Sequence, residues 1–359
     1  MLPSKTGPVN KMPTNRWQQL YSKFFVLVVL ASLLLTMLKS LTGGFTGFDE
    51  NFFGKPRLIS SFNYLRYSMG DQVFSQVLVG KEGWLQFSSE GNLNDYQNAS
   101  IAPAQLERIH QKLEALNKEL TARGITLIVI VAPSKATIYP DKVPEKLEKI
   151  NEQSRLDLFL DLMKQTNSSY VIDLRPALIQ ASQNHQIYYK TDTHWNALGA
   201  YIAYREIMNT LSQAHPELQP YELDQFQWKE SNPIVMDLPR LMSADFIREP
   251  WTELRPKFDA ISHLQRFSSQ SDGSMSWGYH GQEKTLVMYH DSFGITLHQF
   301  LRHHFKAAMF IPHRNSELSK TPWINVANPD IVIIEVAERD MGFLDFFLSK
   351  LLKRLPQQN

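Results

Sequence analysis

The sequence predicts an α/β protein: a parallel sheet with helices on both faces, preceded by an N-terminal membrane-anchor helix. Three observations carry this. The run "ITLIVIVAPSK" at 125–135 is continuously apolar and then abruptly polar, as a strand buried on both faces must be. The same grammar recurs in "SYVIDLRPAL", "KTLVMYHDSFG" at 284–294, "KAAMFIP" at 306–312 and "DIVIIEVAERD" at 330–340. Helical patterns follow at about 155–166, 196–212, 294–305 and 343–354. Finally, "FFVLVVLASLLLTML" between Lys23 and Lys39 is a charge-free stretch near the N terminus.

Taken in order, residues 1–23 read as a basic cytoplasmic N terminus and 24–41 as a transmembrane signal anchor. The apolar run is short for a span of about 20 residues, but both flanking lysines can snorkel. Four basic residues precede it and one follows, which orients the N terminus to the cytoplasm. A cleaved signal peptide and a buried soluble helix are the rival readings; "LKSLTGGFTG" offers no small-x-small cleavage site. On the anchor reading the bulk of the chain is extracytoplasmic, held at the inner (cell) membrane with its C-terminal domain in the periplasm. The absence of cysteine fits an oxidising compartment.

Residues 42–102 read as a linker ("TGG") and an N-terminal collar. Within it "VLVGKEGWLQF" forms two short strands about Lys81, Glu82 and Gly83. Residues 103–359 form the catalytic domain, with an irregular insertion at about 216–280, rich in Pro, Gln, Ser and Trp. Its first helix covers 103–123: Leu106, Ile109, Leu113, Leu116 and Leu120 alternate steps of three and four between Pro103 and Gly124. Net charge is +1, yet the first 48 residues hold five bases and no acid, so the remainder is acidic. No phosphate-binding surface follows from that, and nucleic acid is set aside as a partner.

Function in an open α/β sheet gathers beyond the carboxyl ends of the strands. That leaves Ser134, Asp173, His290, Asp291, Ser292 and residues 337–340. In "LVMYHDSFG" a strand runs into Ser292, Gly294 permits a tight turn, and a helix follows whose free N–H groups would stabilise an oxyanion. A serine nucleophile needs a base, and the base an orienting carboxylate. "YYKTDTHWNALGAY" at 188–201 supplies both, with Asp192 two residues before His194 and Trp195 next. The alternatives are a structural Asp–His pair, a metal site from Asp192, His194, His290 and Asp291, and Ser134 as nucleophile. No metal or cofactor is expected.

"TDTHW" with a later "HDSFG", "VGKEGWL", "VAPSKATIYP" at 131–140 and "EVAERD" at 335–340 together resemble the AlgJ/AlgX-like family of alginate O-acetylation, whose domains are SGNH-hydrolase-like. The resemblance runs over most of the chain from about residue 47. It implies an SGNH-hydrolase-like (flavodoxin-like) fold, with Ser292 as nucleophile, His194 as base and Asp192 as orienter. It also implies an extracytoplasmic O-acetyltransferase acting on exported polysaccharide beside a membrane-bound O-acyltransferase that supplies acetyl groups. Two features depart from the ordinary pattern. Asp-x-His precedes the serine, where SGNH hydrolases place serine first. No carbohydrate-binding module is expected after the domain, which would set the resemblance nearer the AlgJ type. A carbohydrate acetylesterase and a non-catalytic glycan-binding component of an export complex are the alternatives.

Around this set, Tyr189, Lys190 and Arg339 are candidates for substrate binding, with core packing for one of Tyr188 and Tyr189 and an ion pair for Arg339 as the plainer readings. His298, His303 and His304 are expected on a solvated helix face. The Trp and Phe residues of 216–280 could stack on sugar rings, or fill the core.

Overall fold

A computed structural model describes residues 16–40, 55–89, 91–99, 102–258, 264–269, 275–279, 282–314, 324 and 328–355. Two units divide the chain, Met1–Leu65 and Arg66–Asn359. In the first, α1 (Arg16–Ser40) turns Phe24, Leu27 and Leu34 outward. Its charge-free run rises about 22 Å at ~1.5 Å per residue, short of the ~30 Å hydrocarbon core of a bilayer. Among the described residues no helix is long and apolar enough to cross a membrane, so the expected anchoring span is not shown. The "TGG" linker lies outside the described residues. Helix α2 (Lys55–Ser68) has no buried residue and runs across the division between the units.

The second unit begins with a small antiparallel sheet of β1 (Val73–Phe74), β2 (Val77–Val79) and β3 (Leu85–Phe87), turned where the sequence places it; Glu82 and Gly83 both have positive φ. Phe74, Val77 and Leu85 of this sheet share a cluster with Leu238, Met242 and Ala244. From Arg66 onward these residues belong to the same compact unit as the rest of the chain. Next come α3 (Pro103–Ala122), β4 (Thr126–Ala132), α4 (Arg155–Gln165), β5 (Val171–Ile172), α5 (Arg175–Ser182) and α6 (Ala197–Ala214). All five periodic apolar residues of α3 are buried.

Residues 216–280 are more regular than their composition suggested. A long antiparallel pair, β6 (Phe226–Ile234) and β7 (Glu249–Pro256), brackets the short helix α7 (Asp237–Leu241). Then β8 (Leu264–Ser269) and β9 (Met275–Tyr279) extend the main sheet. The signal was missing because β6 is exposed along nearly its whole length and so carries no apolar alternation. The chain closes with β10 (Thr285–His290), β11 (Ala307–Pro312), β12 (Ile331–Ala337) and α8 (Met341–Leu352).

The main sheet has seven strands in the order β5-β4-β12-β10-β11-β9-β8, the first five parallel. Alternation on buried strands separates two cores. Ile128, Ile130, Met288 and Ile333 face the layer of α6, while Val129, Val287, Tyr289 and Ile334 face that of α3 and α8. Numbered from β10 through β12 and on to β4 and β5, the parallel strands follow the order 2-1-3-4-5 of a flavodoxin-like sheet. The chain thus enters that sheet partway through. This is why Asp-x-His precedes the serine: the strand that would come first, β10, is made late.

Candidate active site

The strand order reverses between β10 and β12, and the residues beyond their carboxyl ends build the site. The chain leaves β10 through Asp291, and Ser292 stands exposed at the tip of the turn. Buried carboxyl groups brace this elbow from below. Asp291 accepts the Phe293 N–H at 2.8 Å and the Ala337 N–H at 2.6 Å; Glu335 of β12 accepts the Asp291 N–H at 2.9 Å. Burial, then the neighbouring Asp291 charge, pushes the Glu335 carboxyl well above its usual range. Gly294 is needed for space rather than for a turn. A Cβ there would lie 2.4 Å from His290 Cβ and 2.9 Å from Glu335 Oε2.

That bracing alters the expected oxyanion site. The helix after the elbow is a 3₁₀ turn, Gly294–Leu297, followed by His298–Leu301. Its first N–H groups are taken: Phe293 donates to Asp291, and Gly294 to Glu335. The Ser292 N–H donates to no described group, which leaves it as the candidate oxyanion donor.

His194 comes from the loop between α5 and α6. Its Nε2 lies 2.8 Å from Ser292 Oγ and its Nδ1 2.6 Å from Asp192 Oδ1. Asp192 Oδ1 also accepts the His194 N–H at 3.1 Å, and Oδ2 faces the Asp237 N–H at 3.5 Å. Burial pushes the Asp192 carboxyl up, but the hydrogen bond and charge of His194 outweigh it and hold the group below its usual range. Asp237 goes the other way, raised by burial and then by the Asp192 charge, while it accepts from Thr193 N and Oγ1. Of the two adjacent carboxyls, Asp192 is thus the one kept ionised beside the imidazole. The Phe293 ring packs 4.8 Å from the His194 ring, and Trp195 Nε1 donates to Thr296 Oγ1 at 2.6 Å, tying loop to elbow.

The loop has a bridge between Tyr188 and Trp195 and is held further by backbone bonds, among them Leu85 N–H to the Lys190 carbonyl at 2.9 Å, and by two charged side chains. Glu249 of β7 accepts from Lys190 N, Thr191 N and Thr191 Oγ1 at 3.0, 2.8 and 2.7 Å. Lys135 donates to three loop carbonyls. Neither residue was singled out from sequence as part of the site. A lone Lys after "APS" and a lone Glu in a polar insertion carry no local signal.

Other candidates fall elsewhere. Ser134 begins a short helix, its N–H on Glu338 Oε2 at 2.7 Å, and the hydroxyl on His194 Nε2 is that of Ser292. The four-residue metal set is not assembled. His290 is turned to the Asp291 carbonyl and to His298, and Asp291 accepts backbone N–H groups. Among the described residues, Asp192, His194 and Asp237 offer ligand atoms within 4.8 Å of one another, but both His194 nitrogens are hydrogen-bonded, to Asp192 and to Ser292. Asp173 pairs with Arg175.

Tyr188 and Tyr189 are both buried, so neither lines a groove. The Tyr189 hydroxyl is 2.9 Å from Thr252 Oγ1, and burial raises it to about 12. Lys190 is half-buried, its ammonium 5.9 Å from the Trp84 ring. Arg339 is half-buried beside the elbow, its guanidinium 5.6 Å from the Phe293 ring, with Asp340 3.8 Å away. It lines a cleft with Gln86, Ser134, Thr137, Thr193 and Glu338. His298, His303 and His304 are buried rather than solvated, because the segment that carries them packs between α6 and the sheet. In the insertion, Phe226 and Phe258 fill the core region, Trp251 stacks on Tyr189 at 5.1 Å, and Trp228 is exposed.

Residues 77–275 match the family described as the SGNH hydrolase-like domain of acetyltransferase AlgX. The match includes Asp192 and His194 and stops short of Ser292. Among curated proteins, the probable alginate O-acetylase AlgJ of Pseudomonas aeruginosa is 28% identical over 153 residues, 42% of this chain and 37% of that protein. The AlgJ of Pseudomonas syringae pv. tomato is 26% identical over 227 residues, 60% of this chain and 53% of that one. The chain thus spans about half or less of the length of these relatives. Among solved structures, Bacillus cereus PatB1 superposes with a TM-score of 0.57 at 17% identity, covering 74% of this chain and 96% of that one. A DHHW family protein from Eubacterium siraeum gives 0.52 at 16% identity, covering 80% and 98%. These likenesses concern the fold.

Proposed function

Because the chain belongs to the family of the SGNH hydrolase-like acetyltransferase domain of AlgX, we propose that it is a polysaccharide O-acetyltransferase working through an acetyl-serine at Ser292. The observation that carries the proposal is the continuous hydrogen-bonded chain from Asp192 through His194 to Ser292. In the first half-reaction His194 Nε2 takes the Ser292 proton as Oγ bonds to the acetyl carbonyl carbon. Collapse of the tetrahedral intermediate expels the donor's leaving group, which takes the proton from His194. In the second, a sugar hydroxyl gives its proton to His194 and attacks the acetyl carbon, and Ser292 Oγ leaves and recovers that proton. Asp192 stays ionised throughout, orienting the imidazole and stabilising its charged form. The Ser292 N–H is the candidate donor to the oxyanion.

The relatives are named alginate O-acetylases, which favours an alginate-like polysaccharide as acceptor. The proposal also keeps the topology expected from sequence. Lys23 and Lys39 bracket the apolar run of α1, and snorkelling would let this helix attach the domain to the extracytoplasmic face of the inner membrane. A membrane-bound O-acyltransferase would there supply the acetyl group.

The test is incubation of the purified protein with an activated acetyl ester and a panel of polysaccharides, followed by mass spectrometry of the sugars. Acetylated sugar in preference to free acetate is the expected result. Acetate alone across the panel would make the protein an acetylesterase. Binding to a glycan with no turnover of the ester would make it a glycan-binding component of an export complex.

A further inference from the structure

We propose that Lys135 is a positioning residue for the triad: its buried ammonium fixes the backbone of the loop that carries Asp192 and His194. The inference rests on the triad reading above and assigns a role that the reading does not require.

Lys135 follows β4, and only 4% of it is exposed. Its Nζ donates to the carbonyls of Tyr189 at 3.1 Å, Lys190 at 3.0 Å and Asp192 at 2.8 Å. An ammonium has three N–H donors and no acceptor, so these carbonyls use all of them. Each bond is charge-assisted and therefore stronger than its neutral counterpart. The Trp84 ring closes another side at 5.8 Å, and Trp84 itself is braced by Tyr139 at 4.4 Å. Trp84 lies in "VGKEGWL" and Lys135 in "VAPSK", two stretches that the chemistry otherwise leaves unused.

The arrangement costs desolvation, which a purely structural site could avoid with an apolar side chain of similar volume. What the charge supplies is a set of donors that only the protonated amine provides. A neutral amine has two N–H bonds and a lone pair, so one of the three carbonyls would face electrons. Burial lowers this group to about 8, while the carboxylates of Asp237, Asp192 and Glu249 act to raise it. Those three acids, with the ring of Trp84, are the groups that face it from α7, the triad loop, β7 and the β2–β3 turn. Above about pH 8 the clamp therefore loses a donor, and the carbonyl of Asp192 or one of its neighbours is released.

The experiment has two readouts on the full chain. The first is the rate of Ser292 acetylation by p-nitrophenyl acetate as a function of pH, in wild type, Lys135→Arg and Lys135→Met. The wild-type rate should fall above about pH 8. Arginine, which keeps its charge, should move that fall upward by more than one pH unit and retain most of the rate. Methionine should lower the acetylation rate by about 10²-fold, the scale of a misplaced catalytic group. It should leave KM for the ester within about twofold and abolish the alkaline limb. The second readout does not need the nucleophile: the far-downfield NMR resonance of the His194 Nδ1 proton shared with Asp192. It should weaken above about pH 8 in wild type, and persist to higher pH in Lys135→Arg. Methionine at wild-type rate with the alkaline limb intact would overturn the proposal. So would a downfield resonance indifferent to pH 8–9 in wild type, even if the methionine variant failed to fold. Should Ser292→Ala keep full esterase activity, the nucleophile assignment falls, and the resonance still decides the role of Lys135.

Discussion

Asp192→Asn is the substitution whose consequence the geometry fixes most closely. An asparagine can present either its oxygen or its NH₂ where Asp192 Oδ1 now lies. That position receives two donors, His194 Nδ1 at 2.6 Å and His194 N at 3.1 Å. Among the described residues the other oxygen accepts only the Asp237 N–H, at 3.5 Å. The amide oxygen should therefore stay at the Oδ1 position, since flipping would set NH₂ against the His194 N–H. The histidine tautomer is then retained, and what is lost is the negative charge beside the imidazolium. At an effective dielectric of about 20, opposite charges roughly 4 Å apart attract by about 4 kcal/mol. The rate of Ser292 acetylation should fall by about 10³-fold. If the amide flipped and held the wrong tautomer, the loss would approach ~10⁴-fold. The assay is the stopped-flow burst of p-nitrophenol, with near-UV circular dichroism to confirm an unchanged fold. A loss below about tenfold with the fold intact would refute the role given to Asp192.

Tyr189→Phe removes a buried hydroxyl from Thr252. It should lower stability by about 1–3 kcal/mol without raising KM for a glycan; a raised KM with unchanged stability would return Tyr189 to the substrate groove. Burial pushes His303 and His304 down to about 3 and His313 to about 4. Between those values and an unfolded value near ~6.5 the unfolded chain binds more protons, so stability should fall as pH drops through that window. The expected slope is about 1.4 kcal/mol per pH unit for each histidine. Denaturant unfolding from pH 7 to pH 4 checks it, and a pH-independent midpoint would contradict it. Gly294→Ala places a Cβ 2.4 Å from His290 Cβ and should displace the elbow, lowering both the unfolding midpoint and the acetylation rate; wild-type values for both would remove the need for glycine there.

The sheet was legible because buried parallel strands are continuous apolar runs, and helix α3 because its leucines keep the helical period. The hydrogen-bonded chain of Asp192, His194 and Ser292 was legible because the serine sits where a strand ends abruptly and the other two lie close together in one loop. What escaped shared one physical cause, a residue whose partner lies far away in the chain. Glu249 and Lys135 act through backbone atoms more than fifty residues distant. The histidines of 298–304 look polar in a helical segment, yet α6 covers them. The free N–H groups expected after Ser292 are consumed: Phe293 donates to Asp291, and Gly294 to Glu335 on a strand made much later in the chain. In β6 exposure removed the alternation by which a strand is recognised.

The most direct test of the account is whether Ser292 carries the acetyl group in transit. The protein would be mixed with an isotopically labelled acetyl ester, quenched in acid within the burst, and its Ser292 peptide examined by mass spectrometry. A parallel sample would receive polysaccharide acceptor before the quench. The account predicts labelled acetyl on Ser292 in the first sample, and its loss from the peptide with appearance on sugar hydroxyls in the second. Labelled sugar formed without acetyl ever residing on Ser292, or formed equally well by Ser292→Ala, would contradict it.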